Sequence, residues 1–166
     1  MATPSDFALA ALALNVGRSL RRAGLSIATA ESCTGGLIAK CLTDIAGSSD
    51  YFERGWVTYS NAAKRAELGV SGALLGRHGA VSEEVAMAMA RGALRRSSAR
   101  VSIAVTGVAG PAGGTPDKPV GTVWIAWGLK RQDGMQVYAR RFLFRGSRNA
   151  IRRQTAAAAL EGLPAS

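Results

Sequence analysis

The sequence predicts a single α/β domain over residues 1–166, with layered helices covering both faces of a mixed, mainly parallel sheet. Three observations lead to this fold class. The chain has 166 residues and 48% of them are hydrophobic, so one sizeable core can be buried. Segments with apolar residues at helical spacing alternate with short runs of β-branched and apolar residues. Near the C-terminus, two strand-like segments follow each other with only a turn between them.

The first half of the chain alternates helices and strands. Leu and Ala recur at helical spacing in the first segment, and Gly24 follows it as a C-cap. Ser60 is the expected N-cap of a later helix. The predicted elements are a helix over 5–23, a strand over 25–31, a helix over 35–47, a strand over 51–60 and a helix over 61–70.

The second half contains one helix, a buried strand, a long loop and a strand pair before the last helix. Ser82 is the expected N-cap of the first of these, and Glu83 and Glu84 complement its dipole. Segment 76–82, which contains His78, is expected to be an exposed loop. The predicted elements are a helix over 82–96, a strand over 100–107, a loop over 107–121, strands over 122–129 and 135–144, and a helix over 147–163.

The charge balance favours anionic partners. The chain has 21 Lys and Arg against 11 Asp and Glu, which gives a formal net charge of +10. Phosphorylated small molecules, nucleic acid and acidic surfaces are all compatible with this charge. Charge alone does not choose among them.

Neither a metal site nor a cofactor is expected. Cys33 and Cys41 fit neither a redox pair nor a four-ligand zinc pattern, and His78 has no second histidine to join it. The two cysteines fit a reducing cytoplasm. A basic run follows the first apolar stretch instead of preceding it, which is the wrong order for secretion, and no apolar run is long enough to span a membrane.

The stretch TAESCTGGLIAK, residues 29–40, places Ser32 on a sharp turn between a strand and a helix. Such turns present nucleophilic serines in some hydrolases. Gly35 and Gly36 allow a close approach to the backbone, and free N–H groups at a helix start can stabilise an oxyanion. The alternative is a serine that only caps the helix or the turn.

Lys64 is the best candidate for a base that would activate Ser32. With Ser60 as N-cap it falls in the first turn of its helix, where the dipole disfavours a cation. That dipole contributes only about 0.3 to 1 kcal/mol, so burial must supply most of the required shift in pKa. Tyr59 could pass a proton or hold the lysine. The alternatives are an exposed lysine beside Arg65 and a packed tyrosine.

The loop over 107–114 is rich in glycine but matches neither a P-loop nor a dinucleotide fingerprint. Its N–H groups could form a nest for a phosphate or a carboxamide oxygen, or the loop could be only a tight connection. Thr106, at the strand end before it, is either a turn residue or a ligand contact.

Other charged residues near these motifs have weaker cases. Glu31 would keep Lys64 protonated if it lay close to it, so a structural or substrate-positioning role is expected. Four arginines flank the start of the last helix, and a subset could bind a phosphate. They are Arg145, Arg148, Arg152 and Arg153.

Five segments in order along the chain resemble the CinA C-terminal domain family in its stand-alone form, the nicotinamide-nucleotide amidases. They are TAESCTGGLIAK, GSSDYFERGWVTYSNAAKRAELGV, GAVSEEVA, VTGVAGPAGGTPDKPVGTVWIAW and FRGSRNAIRRQTAAAAL. The resemblance covers nearly the whole chain. One departure is that Ser147 stands where the family pattern has an acid.

The resemblance implies hydrolysis of the carboxamide of nicotinamide mononucleotide to nicotinate mononucleotide and ammonia, without a metal or cofactor. It implies Ser32 as nucleophile, Lys64 as base and Tyr59 in support, in a cytoplasmic homo-oligomer. The tetrahedral anion would be held by backbone donors near Gly35 or in segment 107–110. The expected substrate-binding residues are Glu31, Thr34, Gly35, Gly36, Asn61, Thr106, Gly107, Ala109, Gly110 and Arg145.

Two other functions stay open at this level. The high charge permits a nucleic-acid-binding module, although the basic residues are dispersed and no nucleic-acid-binding signature is present. A catalytically silent domain that senses pyridine nucleotides is the third hypothesis. Neither a membrane partner nor a specific nucleic acid is expected.

Overall fold

A computed structural model describes residues 2–163 as six helices packed on a five-stranded sheet. In chain order the elements are α1 (Asp6–Ala23), β1 (Ile27–Glu31), α2 (Leu37–Thr43), a short 3₁₀ helix (Ser48–Asp50), β2 (Phe52–Val57), α3 (Asn61–Leu68), α4 (Gly72–His78), α5 (Glu83–Arg95), β3 (Val101–Gly107), β4 (Thr122–Arg131), β5 (Gly134–Leu143) and α6 (Arg148–Glu161). The predicted α/β fold class is confirmed.

The sheet has the strand order β2-β1-β3-β4-β5. Strand β1 pairs in parallel with both β2 and β3, whereas β4 is antiparallel to β3 and to β5. Four strands therefore run in one direction and β4 alone opposes them, so the sheet is mixed. The chain leaves β1 for one neighbour and later returns to its other side, which makes the carboxyl end of β1 the switch point where ligands bind in such sheets.

Helices cover both faces of the sheet. Helices α1, α2 and α6 pack together on one face, where the sheet contributes large side chains such as Ile27, Ile103 and Ile125. Helices α3, α4 and α5 lie on the other face, where the sheet contributes alanines such as Ala104 and Ala126. The alternation of side chains along each strand sends the two sets to opposite faces.

Most caps are those that the sequence predicts. The predicted N-caps Ser60 and Ser82 each accept a hydrogen bond from a backbone N–H in the first turn of the following helix, and Ser5, which was not predicted as a cap, does the same for α1. Gly92 of α5 brings α3 close, because a Cβ at that position would lie 2.1 Å from the carbonyl oxygen of Leu68. Helix α3 therefore packs directly against α5.

The prediction of an exposed loop over 76–82 is wrong for residues 76–78, which end helix α4; residues 79–82 form neither helix nor strand, but they are not exposed. The helix has only seven residues, and Leu75 is its one buried side chain, so its apolar pattern is too short to be read from sequence. Ser71 caps its start by accepting from the N–H of Leu74, and packing against α5 stabilises it. The imidazole of His78 lies 3.1 Å from the carboxylate of Glu84.

In the part of the chain that the structure describes, no helix combines the length and the apolar character needed to cross a lipid bilayer.

Candidate active site

The carboxyl ends of β1, β2 and β3 meet at one edge of the sheet. In the register, Glu31 at the end of β1 stands opposite Val57 of β2 and Val105 of β3. The N–H of Ser32 donates to the carbonyl of Val105 at 3.1 Å, and the N–H of Thr58 donates to the carbonyl of Glu31 at 2.8 Å. These bonds fix the turn after β1 relative to both neighbouring strands.

Ser32 and Lys64 form a hydrogen-bonded pair at this edge. The distance from Lys64 Nζ to Ser32 Oγ is 3.0 Å, within the range expected for a nucleophile and its base. Nζ also donates to the carbonyl oxygen of Thr58 at 2.8 Å. A neutral amine has two N–H groups and one lone pair, so it can donate to Thr58 while it accepts the proton of Ser32.

Burial gives Lys64 the properties of a base. Its side chain is 1% exposed, and no carboxylate within residues 2–163 forms an ion pair with it. Loss of solvation therefore lowers the pKa of Lys64 from the ordinary lysine value, against a smaller opposing effect of Cys33. This shift increases the share of the neutral form, which can accept a proton.

Cys33, which follows Ser32 directly, is a poor nucleophile. It is buried, and burial raises the pKa of its thiol to about 12. The thiol is therefore protonated at neutral pH. Ser32, which is 9% exposed and bonded to Lys64, is the better candidate.

Glu31 faces away from Lys64 and caps α2. Its Oε2 accepts from the N–H groups of Gly36 at 3.0 Å and Ile38 at 3.1 Å, and its Oε1 accepts from the N–H of Ala39 at 2.8 Å. The carboxylate is completely buried. Glu31 therefore completes the start of α2, where a carboxylate also complements the helix dipole.

The turn after Ser32 requires glycine. Gly35 and Gly36 have φ values of 60° and 92°, in the left-handed region that side-chain-bearing residues rarely adopt. The N–H of Gly35 donates to the carbonyl of Ser32 at 3.0 Å. The amides near Gly35 that the sequence offered to an oxyanion are therefore already engaged, by Ser32 and by Glu31.

Other backbone donors stay available for an oxyanion. In the described part of the chain, the N–H groups of Cys33 and Ala109 donate to no other residue. Both residues line the pocket beside Ser32. The residue after a nucleophilic serine supplies such a donor in hydrolases that carry the nucleophile on a strand-to-helix turn.

The pocket in front of the pair has a volume of about 180 Å³. Two of its polar side chains donate to backbone carbonyls in the neighbouring loops. Thr106 Oγ1 donates to the carbonyl of Ala80 at 2.8 Å, and Arg148 Nη1 donates to that of Gly110 at 2.8 Å. The lining residues are Ser32, Cys33, Tyr59, Lys64, Ala80, Val81, Thr106, Gly107, Ala109 and Arg148.

Tyr59 lies at the rim of the pocket. Its side chain is 58% exposed, and its hydroxyl accepts a hydrogen bond from Arg148 Nη2 at 2.5 Å. Among the described residues, Lys64 Nζ bonds to Ser32 and Thr58 and makes no hydrogen bond to Tyr59. Tyr59 therefore stands where a substrate would enter, beside a guanidinium group.

Arg148 takes the place in the pocket that Arg145 has in the sequence-based expectation. Arg145 is exposed and is not among the lining residues. Arg148 begins α6, and its guanidinium reaches back to the site. Ser147 caps α6 by accepting from the N–H of Ala150, so the serine retains the capping role that an acid has at such a position.

Two further predicted substrate-binding residues, Thr34 and Asn61, do not line the pocket. Thr34 is buried, and its carbonyl accepts from Arg152 at 2.6 Å. Asn61 is exposed at the start of α3 and does not line the pocket. Ala80 and Val81 do line it but carry no sequence signal, because small apolar residues before a helix are common.

A larger cavity, of about 350 Å³, lies between α1, α6 and the opposite end of the sheet. Half of its lining residues are leucines, among them Leu12, Leu25 and Leu129, and no hydrogen-bonded nucleophile and base occur among them. The chemistry of the side chains, and not the cavity volume, identifies the candidate active site.

Within residues 2–163 no cluster of three or more His, Cys, Asp or Glu residues could hold a metal ion.

The chain is similar over nearly its whole length to proteins of known sequence and structure. The CinA C-terminal domain family matches residues 9–166. Nicotinamide-nucleotide amidohydrolase PncC of Pseudomonas putida is 57% identical over 152 residues, 92% of either chain. PncC of Escherichia coli K12 is 50% identical over 159 residues, 96% of this chain and 94% of that protein. The crystal structure of competence/damage inducible protein CihA from Agrobacterium tumefaciens superposes with a TM-score of 0.89 at 46% identity, covering 98% of this chain and 96% of that one.

Proposed function

The chain belongs to the CinA C-terminal domain family, and from that premise we propose that it is an amidohydrolase of nicotinamide nucleotides. The proposed reaction converts the carboxamide of nicotinamide mononucleotide into the carboxylate, with release of ammonia. The relatives that carry this activity in their names align with 92% and 96% of the chain. The proposed setting is pyridine nucleotide salvage in the cytoplasm, by a homo-oligomer that needs no metal.

One observation carries the mechanism: buried Lys64 lies 3.0 Å from Ser32 Oγ. Lys64 takes the proton of Ser32 as Oγ attacks the carboxamide carbon. The N–H groups of Cys33 and Ala109 are the proposed donors to the tetrahedral anion. Lys64 then returns the proton to departing ammonia, and water cleaves the acyl-enzyme with Lys64 acting again as base.

Arg148 is the proposed contact for the phosphate of the substrate. Apart from Lys64, it is the one cationic side chain that lines the pocket in the described part of the chain. Its hydrogen bonds to Gly110 and Tyr59 hold the guanidinium at the rim, where a phosphate would lie when the carboxamide reaches Ser32. The bound substrate would then contact Tyr59 at the rim and Thr106, which also lines the pocket.

The test is release of ammonia from nicotinamide mononucleotide by the purified chain, with and without excess EDTA. We expect equal rates in both conditions and nicotinate mononucleotide as the second product. Ser32→Ala should abolish turnover, whereas Ser98→Ala, at an exposed serine far along the chain, should not. Loss of turnover in EDTA that a divalent ion restores would contradict the proposed mechanism.

A nucleic-acid-binding function is the second candidate, favoured only by the net charge of +10. A pyridine-nucleotide sensor is the third, and binding of the mononucleotide without any turnover would favour it. The buried Ser32 and Lys64 pair supports the hydrolase over both, because neither binding function needs a lysine whose pKa is lowered by burial.

A further inference from the structure

In the described part of the chain, Lys64 is the one lining side chain of the pocket suited to act as general base in both halves of the proposed reaction, because the guanidinium of Arg148 stays protonated. The lining residues include Lys64 but no carboxylate and no imidazole in the part of the chain described. Glu31, the carboxylate next to Ser32 in sequence, is bonded to the start of α2 instead. The nucleophile that breaks the acyl-enzyme must therefore lose its proton to Lys64, as Ser32 does during acylation.

The polar side chains of the pocket are not arranged to hold water in preference to another small nucleophile. A well-held water needs two to four polar partners. Thr106 already donates to Ala80, and Arg148 already donates to Gly110 and Tyr59. Of the other lining side chains, Val81 and Ala109 are apolar, whereas Ser32, Tyr59 and Lys64 are polar and can form hydrogen bonds with water or with an amine. Water and a small uncharged amine therefore compete for the same polar partners.

An amine has a route into this pocket because ammonia has a route out. Ammonia leaves from a position next to Lys64, which gives it a proton. By microscopic reversibility, the same position accepts an amine of similar size, from which Lys64 takes a proton. The pocket has a volume of about 180 Å³, and small residues, Ala80, Gly107 and Ala109, are among those that line it, so a small amine would fit.

We propose that the acyl-enzyme formed on Ser32 is also cleaved by small uncharged amines, so that the protein is an acyltransferase as well as a hydrolase. The proposal rests on the proposed amidohydrolase function. With hydroxylamine, the nitrogen bonds to the acyl carbon and the bond from that carbon to Ser32 Oγ breaks. Lys64 takes one proton from the nitrogen and gives one to Oγ. The products are free Ser32 and the hydroxamate of nicotinate mononucleotide, with no change in oxidation state.

The experiment uses the full chain with nicotinamide mononucleotide and increasing concentrations of hydroxylamine. Ammonia, nicotinate mononucleotide and hydroxamate are measured by mass spectrometry and enzymatic assay. We expect the ratio of hydroxamate to nicotinate mononucleotide to double with each doubling of hydroxylamine. Ser32→Ala supplies the background of the uncatalysed reaction, and Ser98→Ala is the matched control that should behave as the native protein.

A second substrate tests whether both products come from one acyl-enzyme. The methyl ester of nicotinate mononucleotide has a different leaving group but gives the same acyl group on Ser32. We expect the same product ratio from ester and carboxamide at each hydroxylamine concentration. Different ratios, or ammonia release with no hydroxamate above the Ser32→Ala background, would overturn acyl transfer while the hydrolase function stands. No ammonia under any condition would overturn the hydrolase function itself.

Discussion

Lys64 is the residue whose substitution tests the proposed chemistry most directly. Lys64→Ala should lower kcat about 10²- to 10⁴-fold, the usual contribution of a general base. Lys64→Arg should fail equally, because a guanidinium stays protonated and cannot take the proton of Ser32. The rate of ammonia release measures both. The matched control is Lys40→Ala on the surface of α2, where Lys40 is paired with Asp44.

The pairing of Lys64 with Ser32 also predicts how the substitutions combine. The double variant Ser32→Ala with Lys64→Ala should be scarcely slower than either single variant, because the two side chains act as one unit. Near-normal turnover by Lys64→Arg would contradict the role of Lys64 as base.

Burial of Lys64 predicts a stability that rises with pH. Above the pKa of an unfolded lysine, about 10.4, Lys64 is neutral in both states and its charge has no effect. Below that value the unfolded chain binds a proton that the buried amine resists, because burial lowers the pKa of Lys64 in the folded state. The free energy of unfolding therefore falls as the pH drops, until the folded-state pKa is reached.

Denaturant unfolding of native protein and Lys64→Met at several pH values measures this effect. Methionine is similar in length and does not titrate. The stability of the native protein relative to Lys64→Met should increase as the pH rises from neutral towards about 10. A constant difference would mean that Lys64 has an ordinary pKa in the fold.

At the scale of elements, Glu31 connects the end of β1 to the start of α2 through three backbone N–H groups. Glu31→Gln replaces one acceptor oxygen by an NH₂ group, so at least one buried N–H loses its partner. We expect the free energy of unfolding to fall by about 1–3 kcal/mol and kcat to fall as Ser32 shifts. Glu67→Gln, at an exposed glutamate of α3, is the control. Unchanged stability of Glu31→Gln would show that Glu31 does not hold α2.

The position of Arg148 at the start of α6, beside the pocket, predicts that this arginine binds the phosphate of the substrate. Arg148→Ala should raise KM for nicotinamide mononucleotide at least about tenfold, the effect of losing one charge-assisted contact. The effect on nicotinamide riboside, which has no phosphate, should be much smaller. Steady-state kinetics of both substrates separate loss of the phosphate contact from a disturbed pocket.

Arg145→Ala is the matched control, because Arg145 lies three residues before Arg148 and is exposed like it but does not line the pocket. It should leave both KM values near those of the native protein. A larger increase of the KM for nicotinamide mononucleotide in Arg145→Ala than in Arg148→Ala would instead support Arg145 as the substrate-binding residue that the sequence predicts.

At the scale of the whole molecule, the net charge of +10 predicts weak association with nucleic acid. Contacts to phosphates release counterions, so affinity should fall steeply between about 50 and about 200 mM salt and should not depend on sequence. Fluorescence anisotropy with two unrelated DNA duplexes measures both properties. Tight binding to one duplex at physiological salt would favour the nucleic-acid-binding function instead.

The sequence by itself determined the fold class, the family and most elements of the molecule. Hydrophobic periodicity and caps such as Ser60 and Ser82 are local features, so they indicate where helices and strands lie. Helix α4 was not predicted, because its one buried leucine shows no periodic apolar pattern. The helix depends on packing against α5. The division into a single domain remains a prediction from sequence, as does the homo-oligomeric state.

Only the tertiary structure decided which predicted side chains meet. Ser32 and Lys64 are 32 residues apart, and they touch because β1 and β2 are parallel neighbours whose ends coincide. The direction of Glu31 towards α2, and the reach of Arg148 instead of Arg145 into the pocket, follow from packing between distant elements. Local sequence patterns carry no information on these contacts, because strand order and side-chain direction are set by long-range burial of the core. The neutral state proposed for Lys64 is likewise a product of that burial.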